Sequence, residues 1–512
     1  MPADLQPGEH PRSDQPVFDH EADVTSTRAA LRDPARLRTE VLAGLVVALA
    51  LIPEAISFSI LAGVDPRVGL YASFTMAVTI AFVGGRPAMI SAATGAIALV
   101  IAPVARDYGL DYLIATVLLA GVMQIVLGLS GAARLMRFIP RSVMIGFVNS
   151  LAILIFMAQI PHLLDVPFAV YPLVAIGLAI VFLLPRVTKA VPAPLVAIVL
   201  LSAATVVAAI SVPTVGDQGE LPDSLPSWFI PDVPFTLETL QIIAPYALAM
   251  ALVGLLESLM TAKLVDDITD THSPKTREAW GQGVANIVSG FFGGMGGCAM
   301  IGQTLINVKV SGARTRISTF MAGIFLLALI VGLGDLVAAI PMAALVAVMI
   351  MVSVATFDWH SIHPATLRRM PKSENIVMLT TVAVVVLTHN LAIGVVVGVL
   401  TAMVVFARRV AHLTEVVTID HPGDDTVMYA VRGALFFASS NDLVTQFDYV
   451  NDPDYIIIDL SESHIWDAST VATMDAISAK YASKGKAATF VGLNEESEKR
   501  HDRLAGHLGG GH

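Results

Sequence analysis

Two acidic residues stand where an ionised carboxylate is costly. Glu54 follows Pro53 in the run Leu51-Ile52-Pro53-Glu54-Ala55, within an apolar segment that begins at Val41. Glu257 lies in Leu255-Leu256-Glu257-Ser258, within a second long apolar segment that begins at Ala244. Ionisable groups at bilayer depth persist where a cavity, a partner or a proton makes use of them. An apolar medium favours the neutral form of a carboxylic acid, so both residues are candidates to take up a proton as an anion enters. Glu257 is also a candidate oxygen ligand for sodium. The structural alternatives are a neutral packing residue for Glu54 and an ion pair with Lys263 for Glu257.

A second chemistry comes from two small-residue clusters, Ser91-Ala92-Ala93-Thr94-Gly95 and Cys298-Ala299-Met300-Ile301-Gly302. Each follows a glycine-bearing turn, Gly84-Gly85 in one case and Gly293-Gly294 with Gly296-Gly297 in the other, and each opens an apolar stretch short for a full crossing. A helix that begins inside the membrane leaves its first N–H groups unpaired and presents its positive dipole end, an anion site that needs no cationic side chain. Two such ends face to face would hold one anion between Ser91, Thr94 and Gly95 on one side and Ala299, Met300, Ile301, Gly302 and Gln303 on the other, with Thr304 as a further neutral hydrogen-bonding group. Close helix packing is the alternative use of such residues.

The elements that would carry these groups are readable from composition and charge. The chain has 512 residues, of which 55% are hydrophobic and 14% charged, and its mean hydropathy is +0.72; a wholly soluble protein is excluded. Fourteen apolar segments are expected, starting near residues 40, 68, 88, 112, 140, 168, 192, 240, 280, 298, 317, 338, 374 and 391. With the N-terminus inside, the cytoplasmic connections hold Arg86, Arg134, Arg137, Arg141, Arg186, Lys189, Lys263, Lys275, Arg277, Lys309, Arg314, Arg316, Arg368, Arg369, Lys372, Arg408 and Arg409, whereas the opposite connections hold only Arg67 and Arg106. This bias predicts a multi-pass protein of the cell inner or plasma membrane with both termini cytoplasmic.

The connection from Val212 to Leu237 carries five prolines, several acids and no Lys or Arg. It reads as an external linker between halves of seven segments each, residues 37–212 and 237–411, which an odd segment number forces into opposite orientations. The expected organisation is a cytoplasmic tail over 1–36, a transmembrane transport domain over 37–411 and a small cytoplasmic α/β domain over 415–507. In that last region Val427–Val431, Tyr455–Asp459 and Ala487–Leu493 read as strands and Ser469–Ala482 as a helix. Ser469 follows Asp467 at a strand-to-helix turn, where a serine serves as an N-cap or as a regulatory phosphorylation site.

The runs Ile52-Pro53-Glu54, Ala62-Gly63-Val64-Asp65-Pro66 and Gly69-Leu70-Tyr71, with Gly293–Ser318 and its Asn307 and Ala313-Arg314-Thr315-Arg316, resemble the sulfate permease (SulP) family of anion transporters, bacterial relatives of animal solute carrier 26 proteins. The resemblance covers nearly everything after residue 37. It implies a seven-plus-seven inverted repeat, a core domain moving against a gate domain, an anion between the third and tenth half-helices, a homodimer and a terminal STAS domain in which Ser469 matches a phosphorylatable serine. The stretch Met300–Thr304 lacks the arginine that some animal relatives carry near the anion, which turns the expectation away from halide exchange. Many relatives have glutamine or an apolar residue where Glu54 stands.

Other classes are disfavoured. No segment offers the repeated polar lining of a channel, no catalytic constellation is visible, and the single cysteine, Cys298, excludes an intrachain disulfide. No Cys/His spacing resembles a zinc site, His360, His363 and His389 read as interfacial, and neither a cofactor nor nucleic acid is expected. The function expected is secondary active transport of an oxyanion or a small carboxylate or dicarboxylate, with protons as the coupling ion. Sodium-coupled bicarbonate or sulfate transport and a nucleobase-type proton symporter are the alternatives.

Overall fold

A computed structural model describes residues 25–131, 139–188, 192–411, 414–423 and 425–505. Most of the N-terminal tail, Arg134, Arg137, Lys189 and the chain after residue 505 lie outside them. The chain forms two compact units, residues 1–398 and 399–512.

In the first unit a short helix α1 (Thr27–Arg32) precedes α2 (Pro34–Ala62). Proline at the first position and Asp33 accepting from the N–H of Ala35 start α2 cleanly. At 29 residues it spans about 43 Å, enough to cross a bilayer with some tilt. Pro53 has no N–H to bond the Leu49 carbonyl four residues before it, a break that membrane helices tolerate; one turn on, the Ser57 hydroxyl donates to Pro53 O at 2.8 Å. The order continues as α3 (Pro66–Val83), β1 (Ser91–Ala92), α4 (Gly95–Tyr108), α5 (Leu110–Leu129), α6 (Arg141–Met157), α7 (Val170–Val187) and α8 (Ala193–Val207). After the linker come α9 (Leu237–Thr269), α10 (Lys275–Phe291), β2 (Cys298–Ala299), α11 (Ile301–Leu305, running on into a π-helical turn Ile306–Val310), α12 (Arg316–Gly332), the short α13 (Gly334–Ala338), α14 (Met342–Thr356), α15 (Pro364–Arg369), α16 (Lys372–Thr388) and α17 (Leu391–Ala411). Among the described residues seven helices are long and apolar enough to cross a membrane. The strand-interrupted α4 and α11 are not among them, as the short apolar stretches implied.

These helices pack as two bundles. α2, α3, α4, α5, α9, α10, α11 and α12 form one, with α2 and α3 against α12 and α5 against α10, while α6, α7, α8, α14 and α16 form the other. Between the bundles contacts are few, chiefly α2 with α8 and α14 and α4 with α6. This is the core and gate division. α5 and α10 approach until a Cβ on Gly121 would overlap Gly283 O and one on Gly283 would overlap Gly121 O, the small-residue packing that membrane helices use where no hydrophobic force drives them together.

The second unit holds β3 (Glu415–Gly423), β4 (Thr426–Leu435), α18 (Phe437–Leu443), β5 (Tyr455–Ile465), α19 (Ala468–Ala482), β6 (Ala487–Val491) and α20 (Glu495–Leu504). Its sheet runs β3-β4-β5-β6, antiparallel at β3/β4 and parallel at the other two pairings. Alternate residues Val427, Tyr429 and Val431 of β4 and Ile456, Ile458 and Leu460 of β5 are buried against Val471, Met474 and Ile477 of α19. The cap of α19 is Asp467, which accepts from Thr470 N at 3.1 Å, so Ser469 is no N-cap; it stands exposed in the first turn.

Candidate functional site

Two irregular chains, one leaving α3 and one leaving α10, cross inside the core bundle. β1 and β2 pair antiparallel there, Ser91 opposite Ala299 and Ala92 opposite Cys298. The N–H of Met300 donates to Ile90 O at 2.8 Å and extends the pairing. A Cβ on Gly297 would overlap the Ala92 carbonyl, so only glycine lets the chains meet so closely.

Each chain then turns into a helix, and antiparallel pairing sends the two helices away in opposite directions with both N-termini at the crossing. The ends differ. At α4 the Thr94 hydroxyl caps Ile97 N at 3.4 Å, and Gly95 is buried, its Cβ position lying 2.9 Å from Phe58 and 3.1 Å from Ile155. At α11 no side chain among the described residues caps the first turn, and the first intrahelical bond runs from Thr304 N to Met300 O at 3.0 Å, leaving the N–H groups of Ile301, Gly302 and Gln303 ahead of it. Gly302 is exposed, and a Cβ there would meet nothing within 4 Å. The opening lies in front of Gly302.

Side chains expected to add neutral hydrogen bonds are mostly turned into the protein. Ser91 Oγ accepts from Gln282 at 2.7 Å, Thr304 Oγ1 accepts from Ile90 N at 3.0 Å, and Thr94 Oγ1 lies 3.1 Å from Cys298 Sγ. Gln303 is 2% exposed and lies near the Glu54 carboxyl, while its Oε1 has no partner among the described residues. Glu54 thus lies near the α11 end. Ala299 N–H is held by Ser258 Oγ at 3.1 Å.

Glu257 does not pair with Lys263. Lys263 reaches Asp267 at 3.3 Å, one turn along the exposed face of α9. The buried Glu257 instead accepts from Cys298 Sγ at 2.9 Å, so Glu257, Cys298 and Thr94 form a chain joining α9, β2 and the start of α4. Cys298, which opens the second small-residue cluster, thus lies between the two buried groups. Sequence reasoning also missed Gln282 and Asn286 of α10, which hold the crossing chains; the signal was their spacing with Glu278 and Ser289.

The asymmetry of the two ends separates two substitutions. Gly95→Val is expected to destabilise the protein by about 1–3 kcal/mol through overpacking against Phe58 and Ile155. Thermal unfolding of the detergent-solubilised protein measures this, and an unchanged midpoint would show that Phe58 yields freely.

The sulfate permease family model matches residues 37–172 and 171–381, and a STAS domain model matches residues 416–506. A putative sulfate transporter, YbaR, of Bacillus subtilis (strain 168) is 53% identical over 470 residues, which cover 92% of this chain and 97% of that protein. The bicarbonate transporter BicA of Picosynechococcus is 25% identical over 523 residues, covering 91% of each. The transmembrane domain structure of a cyanobacterial BicA aligns at a TM-score of 0.61 with 26% identity, over 72% of this chain and 97% of that one. Murine solute carrier 26 member A9 in its inward-facing state aligns at a TM-score of 0.80 over 97% of this chain and 92% of that one, at 16% identity, a likeness of fold.

Proposed function

As a member of the sulfate permease family, to which this chain belongs, the protein is a multi-pass membrane anion transporter, and we propose that it is a secondary active symporter of a small oxyanion driven by protons. The observation that carries this reading is the α11 end, uncapped among the described residues, open at Gly302 and close, at Gln303, to Glu54. An anion held by the N–H groups of Ile301, Gly302 and Gln303 gains charge-assisted hydrogen bonds and the favourable end of the helix dipole. Its charge would lie close to Glu54, and two negative charges in one low-dielectric cavity repel strongly. A proton on Glu54 removes that repulsion, so anion and proton travel together as the core moves against the gate. With both termini cytoplasmic, as the Lys and Arg bias supports, uptake would use the inward proton gradient.

Sulfate and bicarbonate lead the candidate substrates because relatives carry those names; small carboxylates and dicarboxylates also suit helix ends and neutral donors. Glu257 supports protons over sodium, since its partner is a thiol, whereas hard cations favour a cage of oxygen ligands. The test is uptake into proteoliposomes of sulfate, bicarbonate and dicarboxylates, with pH and sodium gradients imposed separately. Saturable accumulation under the pH gradient alone is expected. Accumulation that requires sodium would replace the coupling ion, and unitary currents would indicate a channel.

The anion and coupling groups all precede Arg409. Truncation after Arg409 is therefore expected to leave anion affinity within about threefold of the full chain, whatever it does to turnover, because binding energy resides in the groups that touch the ligand. Equilibrium binding to the folded truncated protein measures this, and complete loss would place the STAS domain in the site.

A further inference from the structure

One helix grips both chains of the crossing. α10 carries Glu278, Gln282, Asn286 and Ser289, spaced by four, four and three residues on one face and each 0% exposed. Buried polar groups are costly unless hydrogen-bonded, and these four bond the crossing chains in turn. The Glu278 carboxylate accepts from the N–H of Gly85 at 2.7 Å and of Arg86 at 2.9 Å, and from Gln282 Nε2 at 2.8 Å. Gln282 Nε2 also donates to Ser91 Oγ in β1 at 2.7 Å. Asn286 clasps Gly297 from both sides, Oδ1 accepting its N–H at 2.8 Å and Nδ2 donating to its carbonyl at 3.1 Å, while Nδ2 also donates to Gln124 of α5 at 2.8 Å. Ser289 Oγ accepts from Gly296 N at 3.2 Å. Glu278 and Gln282 hold the chain that leads into α4; Asn286 and Ser289 hold the one that leads into α11.

We infer that α10 is the positioning helix of the anion site, its stripe Glu278, Gln282, Asn286 and Ser289 setting the separation of the two half-helix N-termini. This rests on the reading of the α11 end, set against the α4 end at the crossing, as the anion site. The stripe fits the task dimensionally, because the four residues from Gln282 to Asn286 rise about 6 Å and neighbouring strands lie about 4.8 Å apart, so that one step carries the stripe from the β1 chain to the β2 chain. The strand pairing has only two directly opposed residue pairs, too few to fix its register unaided. Ser91 and the stripe are fully buried, so they position main-chain donors and do not touch the anion. Ser258 of α9 holds only the β2 side, at Ala299, and supplies a control.

The test uses the full-length protein, with amide hydrogen exchange in detergent and uptake of labelled sulfate and bicarbonate into proteoliposomes. Gln282→Leu removes a tie to β1 and Asn286→Ala a tie to the β2 chain; Ser289→Ala, which loses a single bond, serves if either fails to fold. Each variant is expected to speed exchange about tenfold in both segments, 84–95 and 295–303, and to raise the half-saturating anion concentration about tenfold with maximal rate held within about twofold. Ser258→Ala should affect 295–303 alone. Exchange that rises only in the chain whose bond was cut would overturn the inference, as would faster exchange with unchanged half-saturation. Coupled exchange in a protein whose wild type carries neither anion would support the shared positioning by α10 and count against the proposed substrate class instead.

Discussion

Replacing Glu54 with Gln is expected to leave anion exchange running while abolishing accumulation driven by a pH gradient. The substituted amide keeps the shape and neutral state of a protonated glutamate, so the repulsion that Glu54 would exert on the anion is absent in every state of the cycle. Gln303 lies near, and an amide at position 54 offers it both donor and acceptor. What is lost is the obligation to carry a proton. For one proton per monovalent anion, one pH unit is worth about 1.4 kcal/mol, or tenfold accumulation, and the variant is expected to fall to about onefold. The measurement compares counterflow of labelled anion with net uptake under an imposed pH gradient in the same vesicles. Normal proton-driven accumulation by Glu54→Gln would remove Glu54 from coupling and move attention to Glu257, whose link to Thr94 through Cys298 also reaches the crossing.

Gly302→Leu is expected to weaken anion binding by about ten- to hundredfold with little loss of stability. A Cβ at Gly302 meets nothing within 4 Å, so the leucine needs no rearrangement to fit, in contrast to Gly95, where Phe58 and Ile155 stand in the way. Its side chain would fill the space ahead of the free N–H groups, and each charged hydrogen bond lost is worth about 1.5–3 kcal/mol. Equilibrium binding and thermal unfolding on the same preparation separate the two effects. Unchanged affinity in a well-folded Gly302→Leu would place the anion elsewhere.

The parts legible in the sequence were those fixed by local constraints. Helices that cross a bilayer need about twenty apolar residues, so the segment starts near 240 and 391 fall within three residues of α9 and α17, and the one near 40 within six of α2. The helix starts at Gly95 and Ile301 were legible because small residues after glycine turns mark chain that must bend at close quarters. Contacts between distant positions were not. Nothing local in Gln303 announces Glu54, and nothing in Cys298 announces Glu257, because periodicity reports which face of a segment is apolar and is silent on what meets it. For the same reason Ser91 read as a ligand donor when its hydroxyl is taken by Gln282. The stripe on α10 was local, yet polar residues four apart also mark a solvated face, and only the crossing chains distinguish the two. In the terminal domain β3 was missed since an edge strand buries little, and α20 since its charged turns place Ser497 alone in the interior.

Whether the anion occupies the space in front of α11 is tested most directly by labelling a cysteine placed there. Gly302→Cys adds a thiol at the open position, against a wild-type background in which Cys298 is buried. The rate of its reaction with a small charged methanethiosulfonate should fall as the transported anion is added, with a midpoint equal to the half-saturating concentration for uptake by the same variant. A labelling rate indifferent to saturating anion, in a variant that still transports it, would contradict the account.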